Sequence, residues 1–458
     1  MSDLAYKRTN VYEQADDAKK KAIFEYADGY KVFVDEGKTE REACAWAERE
    51  AEKHGYKPFS FGQKLQKGDK VYYNNRGKNL YLIKVGEVDP FQTGGLRIIA
   101  SHIDSPRIDL KQVPLYESDG VAFAKTHYYG GIRKYQWAAV PLALHGTVAL
   151  RNDVIDVKIG EDENDPVFYI SDLLPHLAAK QNAKPLGEGL GGEDLNIWLG
   201  NIPYTLADDD KDKTVKENVL RILNEKYGII EEDFLSAELC VVPVYKARDI
   251  GFDRALMGAY GHDDRVCSYP AFTALFDEAD SKNTVMVVLA DKEEIGSEGT
   301  TGMQCALFSD LLDEIARVFD VSSAYLRAYA KCLSADVNAA YDPNFPEVSE
   351  KRNSAYLSNG AGLTKFTGSR GKGASNDADA EYIGYLRDVF AQNGVIWQTG
   401  EMGKVDVGGG GTVAKYIANM NINTVDIGVP VISMHSPFEV ISKADLYELY
   451  LAFRAFLK

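Results

Sequence analysis

The chain has 458 residues, of which 45% are hydrophobic and 26% charged, a composition typical of a globular protein with more than one structural unit. The formal net charge of -17 opposes binding to nucleic acid or to an anionic membrane, so neither is an expected partner. The chain starts without a signal peptide, has no membrane-length apolar run and carries five dispersed cysteines, which together predict a cytoplasmic protein with reduced thiols.

The first part of the chain has a helical pattern. Between residues 12 and 54, apolar residues recur three and four positions apart, as they do on one face of a helix. The stretch from Gly37 to Thr39 divides this segment into two helices, and Thr39 with Glu42 has the sequence of a capping box. Strand patterns follow at 70–73, 79–84 and 96–100.

The middle of the chain has a different pattern. Residues 107–241 show alternating apolar and polar positions with clusters of Gly, Asn and Asp, which predicts a β-rich segment. After residue 242, strands alternate with helices, and one strand is predicted over 326–336. This order predicts an α/β domain, a mixed sheet flanked by helices, made of 1–106 and 242–458 and interrupted by an inserted β-rich domain.

Metal-binding residue types stand just after several predicted strands and just before one helix. Ligands of open α/β sheets lie outside the carboxyl ends of the strands, so these side chains are expected at one edge. In chain order they are His102 and Asp104, Asp263 and Asp264, Glu293 and Glu294, Asp336, and His435. Two imidazoles and three carboxylates suit a pair of divalent ions that share a bridging carboxylate. Glu293 would then remain to accept a proton from water, and Asp104 would orient His102.

Each of these residues alone has a simpler explanation. A single His or Asp at the end of a strand is more often a capping or solvated group, and adjacent glutamates usually begin a solvated helix. Their recurrence at successive strand ends favours a dinuclear metal hydrolase. A deacylase, a carboxypeptidase or a non-catalytic assembly protein that keeps the metal ligands are the alternatives, and the presence of Glu293 disfavours the last.

Five segments carry a resemblance to one family. In order and spacing, "SHIDSPRIDLK", "GHDDRV", "ADKEEIGS", "LSAD" and "ISMHSP" resemble the dinuclear zinc aminopeptidases of the aspartyl aminopeptidase type, metallopeptidase family eighteen, to which yeast vacuolar aminopeptidase I is related. The resemblance covers most of the chain and includes "YGGIRKYQWAAVPLALHGTVALR" in the insert. It implies a zinc-exopeptidase-like catalytic domain and an oligomerisation domain at 107–241.

The resemblance also implies residue roles. The implied metal ligands are His102, Asp264, Glu294, Asp336 and His435. Asp264 is preferred to Asp263 as the bridging carboxylate because of its position before Arg265. Glu293 is the implied general base, and Asp104 is the implied orienting carboxylate.

Cofactors and partners follow from the same resemblance. Two divalent ions per subunit are expected, most simply zinc, although the ligand types also suit cobalt or manganese. The implied substrates are peptides with a free N-terminus. His176 lies on an apolar stretch, where a histidine is more often a core or capping residue. In the family, a histidine in this setting reaches the active site of a neighbouring subunit, and dimers assemble into a tetrahedral dodecamer.

Overall fold

The chain folds into two units. The computed structural model describes residues 4–204, 214–278 and 281–458. The first unit comprises Met1–Ser105, Ala247–Met434 and Glu439–Lys458, and the second comprises Pro106–Lys246 with His435–Phe438. The catalytic and oligomerisation roles predicted for the two domains stay predictions.

Helices lie near both ends of the described chain. In the described ranges the α-helices are α1 Val11–Gln14, α2 Asp17–Glu36, α3 Glu40–Lys53, α4 Ala179–Asn182, α5 Val215–Tyr227, α6 His262–Asp277, α7 Leu307–Val318, α8 Ser323–Tyr329, α9 Ala380–Gln392, α10 Ala414–Ala418 and α11 Lys443–Leu457. The break between α2 and α3 is confirmed, because the Thr39 hydroxyl accepts the Glu42 N–H group and the Glu42 carboxylate accepts the Thr39 N–H group. Among the described residues, no helix has the length and apolarity needed to cross a membrane.

Strands lie between these helices. They are β1 Lys57–Pro58, β2 Lys70–Asn75, β3 Asn79–Lys84, β4 Arg97–His102, β5 Arg107–Ser118, β6 Val121–Tyr129, β7 Leu142–Ala149, β8 Val154–Ile159, β9 Tyr169–Ile170, β10 Ile197–Gly200, β11 Glu238–Pro243, β12 Arg248–Ile250, β13 Leu256–Ala259, β14 Val285–Ala290, β15 Lys331–Ala335, β16 Asn338–Ala339, β17 Ala361–Thr364, β18 Trp397–Thr399, β19 Asn423–Gly428, β20 Pro430–Ile432 and β21 Glu439–Ser442.

The strands of the described ranges form three sheets. In the first unit, a nine-stranded mixed sheet has the order β1-β2-β3-β14-β4-β15-β19-β17-β18, and a five-stranded sheet has the order β12-β13-β21-β20-β16. The second unit contains an antiparallel seven-stranded sheet of order β8-β7-β11-β5-β6-β10-β9. The predicted α/β class, a mixed sheet flanked by helices, is confirmed.

Helices cover both faces of the nine-stranded sheet. Successive side chains of β14 point to opposite faces. Val285, Val287 and Leu289 pack in a core with α2, α3, α6, α9 and α11, whereas Met286 and Val288 pack with α7, α8 and α10. Because both faces are buried, β14 and β4 are buried along their whole length, which explains the continuous apolar run of β14.

One predicted strand is wrong in its first half. The pattern at 326–336 predicted a strand, but residues up to Tyr329 belong to α8 and β15 begins at Lys331. The side chain of Ser322 accepts the N–H group of Tyr325 and caps this short helix. A local cap therefore outweighs a weak strand pattern here.

Candidate metal centre

Three adjacent strands bring the central residues of the site together. The strands β14, β4 and β15 are neighbours and run parallel, with Ala290 paired to His102 across β14 and β4. His102 is the last residue of β4, a 3₁₀ helix starting at Glu293 follows β14, and Asp336 follows β15. Their carboxyl ends therefore lie at one edge of the sheet, as the sequence predicted.

His102 lies in the middle of this group. The side chain is 1% exposed, and its Nε2 atom lies 3.2 Å from Asp263 Oδ1 and 4.0 Å from Asp336 Oδ1. Its other nitrogen, Nδ1, lies 3.2 Å from Asp104 Oδ1 and 3.1 Å from the backbone oxygen of Asp104. Asp104 therefore orients the imidazole ring through Nδ1, so that Nε2 faces the carboxylates of Asp263 and Asp336.

Asp104 also holds the turn after β14. Its Oδ1 atom accepts the backbone N–H group of Glu293 at 3.1 Å, and its Oδ2 atom accepts that of Glu294 at 3.2 Å. These N–H groups begin a 3₁₀ helix, where backbone donors have no partner within the helix. One fully buried carboxylate thus positions an imidazole and two half-buried glutamates.

The two adjacent aspartates before the main part of α6 have different contacts. Asp263 Oδ1 faces His102 Nε2, whereas Asp264 Oδ2 accepts the backbone N–H group of His102 at 3.3 Å. The backbone of Asp263 is not helical, with φ -78° and ψ 107°. Its N–H group donates to Glu439 Oε2 at 3.1 Å, and its carbonyl oxygen accepts from Ser105 Oγ at 2.5 Å.

The donor atoms of this site cluster in three overlapping groups. In each group, one donor atom per residue lies within 4.8 Å of the others, and the groups are His102 with Asp263 and Glu294, His102 with Glu293 and Asp336, and Asp263 with Asp264 and Asp336. One imidazole among several carboxylates is a donor set that suits zinc and other borderline divalent ions. The residues present therefore fit a divalent metal.

Burial and crowding shift the protonation of these groups. Burial disfavours the charged form of His102, but its hydrogen bonds to Asp104 and Asp263 outweigh this effect and raise its pKa well above the ordinary value. Burial also raises the pKa of Asp264 and Asp336 well above the ordinary range, and neighbouring carboxylates add to the shift although His102 opposes it. A buried cluster that retains protons in this way can exchange them for divalent cations.

Two predicted residues belong to the second unit. His435 follows β20, and its Nδ1 atom shares a hydrogen bond of 2.9 Å with the backbone oxygen of Gly131. His176 is exposed within a 3₁₀ helix, Pro175–Leu177. The metal-binding role of His435 and the catalytic role of His176 stay predictions.

Comparison with known proteins identifies the family. The model of the family described as aminopeptidase I zinc metalloprotease (M18) matches residues 33–457. The chain belongs to the M18 peptidase family. This M18 chain is 47% identical over 465 residues to a probable M18 family aminopeptidase 1 of Clostridium acetobutylicum. The alignment covers 100% of this chain and 99% of the relative.

Solved structures agree with this M18 assignment. The crystal structure of the M18 aminopeptidase of Thermotoga maritima matches with a TM-score of 0.93 and 39% identity, over 99% of this chain and 100% of that one. The S. cerevisiae mApe1 dodecamer matches with a TM-score of 0.76 and 23% identity, over 94% and 95% of the two chains. The yeast match shows a shared fold.

The sequence missed one contact of this M18 site. Glu439 is 1% exposed and its carboxylate binds the Asp263 backbone, yet it begins a strand that the sequence did not predict. The available signal was a charged residue between apolar neighbours in "SPFEVIS". A buried carboxylate there requires a nearby partner.

Proposed function

We propose that this chain is a zinc-dependent aminopeptidase that removes the N-terminal residue from peptides with a free amino terminus. The proposal rests on one observation. His102, Asp263 and Asp336 lie close to the pair Glu293 and Glu294 at one edge of the sheet. Membership of the M18 zinc metalloprotease family supports the activity and the metal. Neither a deacylase nor a carboxypeptidase is favoured by the family or by its named relatives.

The proposal assigns two divalent ions to each subunit. Their ligands would be His102, Asp263, Glu294, Asp336 and His435. Asp263 is preferred here to Asp264 as the bridging carboxylate for two reasons. First, both aspartates belong to the donor group that contains Asp336, but Asp263 alone of the two also belongs to the group of His102 and Glu294. Second, one oxygen of Asp264 accepts the backbone N–H group of His102.

The chemistry divides between the ions and the protein. Bound divalent ions supply Lewis-acid polarisation of the scissile carbonyl and lower the pKa of water. Glu293 is half-buried beside His102 and Asp336, where its carboxylate can accept a proton from the attacking water and return it to the leaving amine. The backbone contact with Asp104 holds Glu293 in this place. The carboxylates also favour binding of a substrate's positively charged α-amino group.

Oligomer formation is a separate part of the proposal. We assign the second unit to dimer formation, with dimers building a tetrahedral dodecamer and His176 acting in the active site of a neighbouring subunit. Exposed leucines beside His176, namely Leu173, Leu174 and Leu177, support a contact surface in this segment. Sedimentation velocity measures the assembly. Mixing His176→Ala subunits with Glu293→Gln subunits should restore part of the activity if His176 acts between subunits.

One experiment tests the main proposal. Aminoacyl p-nitroanilides with free or N-acetylated amino groups are incubated with enzyme, with EDTA, and with EDTA followed by zinc. Release of p-nitroaniline from free substrates alone, lost with EDTA and restored by zinc, is the expected result. Release of p-nitroaniline from the acetylated substrates would contradict the aminopeptidase assignment, and release of acetate from them would favour a deacylase.

A further inference from the structure

We propose that Glu439 is a positioning residue that sets the place of the Asp263 carboxylate and thereby the zinc affinity of the site. The inference rests on the proposed function, in which Asp263 bridges two ions. Glu439 has no assigned part in the chemistry. It acts through the backbone of Asp263.

The contact is between buried groups. Glu439 is 1% exposed, and its Oε2 atom accepts the Asp263 N–H group at 3.1 Å. On the other side of the same residue, the Ser105 hydroxyl donates to the Asp263 carbonyl oxygen. Because Asp263 lies outside helical dihedral angles, its peptide groups bind these two side chains instead of helical partners. The two contacts fix the orientation of the residue between them.

The five-stranded sheet holds the two partners in register. Glu439 is the first residue of β21 and pairs with Ala259, the last residue of β13. Asp263 follows Ala259 by four residues and lies in the first turn of α6, so the strand pairing brings Glu439 to the beginning of this helix. The strand β21 also pairs with β20 on its other side. Glu439 therefore lies on a strand that is hydrogen-bonded to a neighbour on each side. This pairing fixes the backbone that carries the Glu439 carboxylate.

Burying a carboxylate at position 439 is energetically unfavourable. Burial of a charged group is unfavourable unless it is paired or hydrogen-bonded. An apolar side chain would avoid that cost but would leave the buried Asp263 N–H group without this acceptor. The Asp263 N–H group is therefore one partner that the buried Glu439 carboxylate stabilises.

The test compares zinc affinity with stability. Glu439→Ala, Glu439→Gln and Glu439→Asp are prepared with a matched control, Glu448→Ala. Glu448 is also fully buried and accepts a backbone N–H group, that of Ile396 at 2.8 Å, but it lies in α11 and belongs to none of the metal-binding groups of the described residues. Zinc Kd is measured by competition with a chelating dye, and the melting temperature of each metal-free protein is measured in parallel.

The expected result separates the two glutamates. Glu439→Ala should raise the zinc Kd about 10- to 100-fold, as loss of residues that support metal ligands does. Glu448→Ala should lower the melting temperature and leave the zinc Kd unchanged. Glu439→Gln keeps an acceptor oxygen at the same reach and should bind zinc more tightly than Glu439→Asp, whose shorter side chain loses the contact. This pair decides the question if Glu439→Ala does not fold.

Two results would overturn the inference. Zinc affinities equal to wild type in Glu439→Asp and Glu439→Gln would show that the contact does not position a ligand. An equal loss of zinc affinity in Glu448→Ala would show that general destabilisation causes the effect. Asp263→Asn in the same titration identifies which proposal fails. If Asp263→Asn leaves zinc binding intact, the proposed ligand set is wrong. If Asp263→Asn loses zinc binding but the Glu439 variants retain it, only the inference about Glu439 is wrong.

Discussion

The carboxylate of Asp104 accepts the backbone N–H group of Glu293 at 3.1 Å. The same carboxylate lies 3.2 Å from Nδ1 of His102. The proposed general base and a proposed metal ligand therefore share one support. A change in Asp104 should affect metal binding and proton transfer together, whereas a change in either partner should affect mainly one of them.

Asp104→Asn tests this shared support. The amide keeps one accepting oxygen and replaces the other with an NH2 donor, so either the Glu293 or the Glu294 N–H group loses its acceptor. We expect zinc affinity to fall about 10- to 100-fold, and kcat to stay below wild type even at saturating zinc. Zinc titration followed by steady-state kinetics at full occupancy measures both effects. A full return of kcat at saturating zinc would mean that Asp104 supports His102 alone.

Glu293→Gln isolates the proton-transfer step. The substitution keeps the size of the side chain and removes its basicity, so kcat should fall by about 10²- to 10⁴-fold. Zinc content, measured by atomic emission, should match wild type because Glu294 is the proposed ligand of the pair. Residual activity near the wild-type level would contradict the base assignment. Glu298→Gln, an exposed neighbour in the same loop, is the control and should retain activity.

Asp263→Asn and Asp264→Asn decide which aspartate bridges the ions. If Asp263 bridges, its loss should reduce zinc binding below two ions per subunit and abolish activity. Asp264→Asn should keep two zinc sites with weaker affinity, because Asp264 contacts the backbone of His102. Zinc stoichiometry per subunit is the measurement. The reverse pattern would restore the sequence-based choice of Asp264.

Zinc affinity and metal-free stability should respond to pH in opposite directions. His102 and Asp336 both have raised pKa values in the folded chain. A raised pKa contributes stability that is present below the unfolded pKa and lost as pH rises through the folded pKa. The loss begins above about pH 4 for Asp336 and about pH 6.5 for His102. Because protons compete with zinc, zinc affinity should rise over the same interval.

Asp336→Asn isolates the carboxylate part of this effect. In the metal-free state, the variant carries no charge at this position, so it should gain stability relative to wild type as pH rises from 5 to 8. Melting temperatures of both EDTA-treated proteins across this interval measure the difference. A constant difference would show that Asp336 does not titrate with a raised pKa.

The sequence predicted the edge of the sheet more accurately than the details of the site. Apolar runs fix where β4, β14 and β15 end, and so His102, the glutamate pair and Asp336 could be grouped in advance. The choice between Asp263 and Asp264 depends on the non-helical backbone dihedral angles in the first turn of α6, which adjacent identical residues do not reveal. The contact between Glu439 and Asp263 could not be predicted because the two residues are 176 positions apart.

The order of the sheet also constrains how the chain acquires its structure during synthesis. Both sheet neighbours of β4, namely β14 and β15, follow Pro106–Lys246, the main segment of the second unit, in the sequence. When the ribosome has made β4, neither neighbouring strand exists, whereas β5 to β11 are completed next. Because domains generally fold as units, the seven-stranded sheet can form while β4 still lacks both neighbours. Assembly of the nine-stranded sheet around His102 then awaits the last third of the chain.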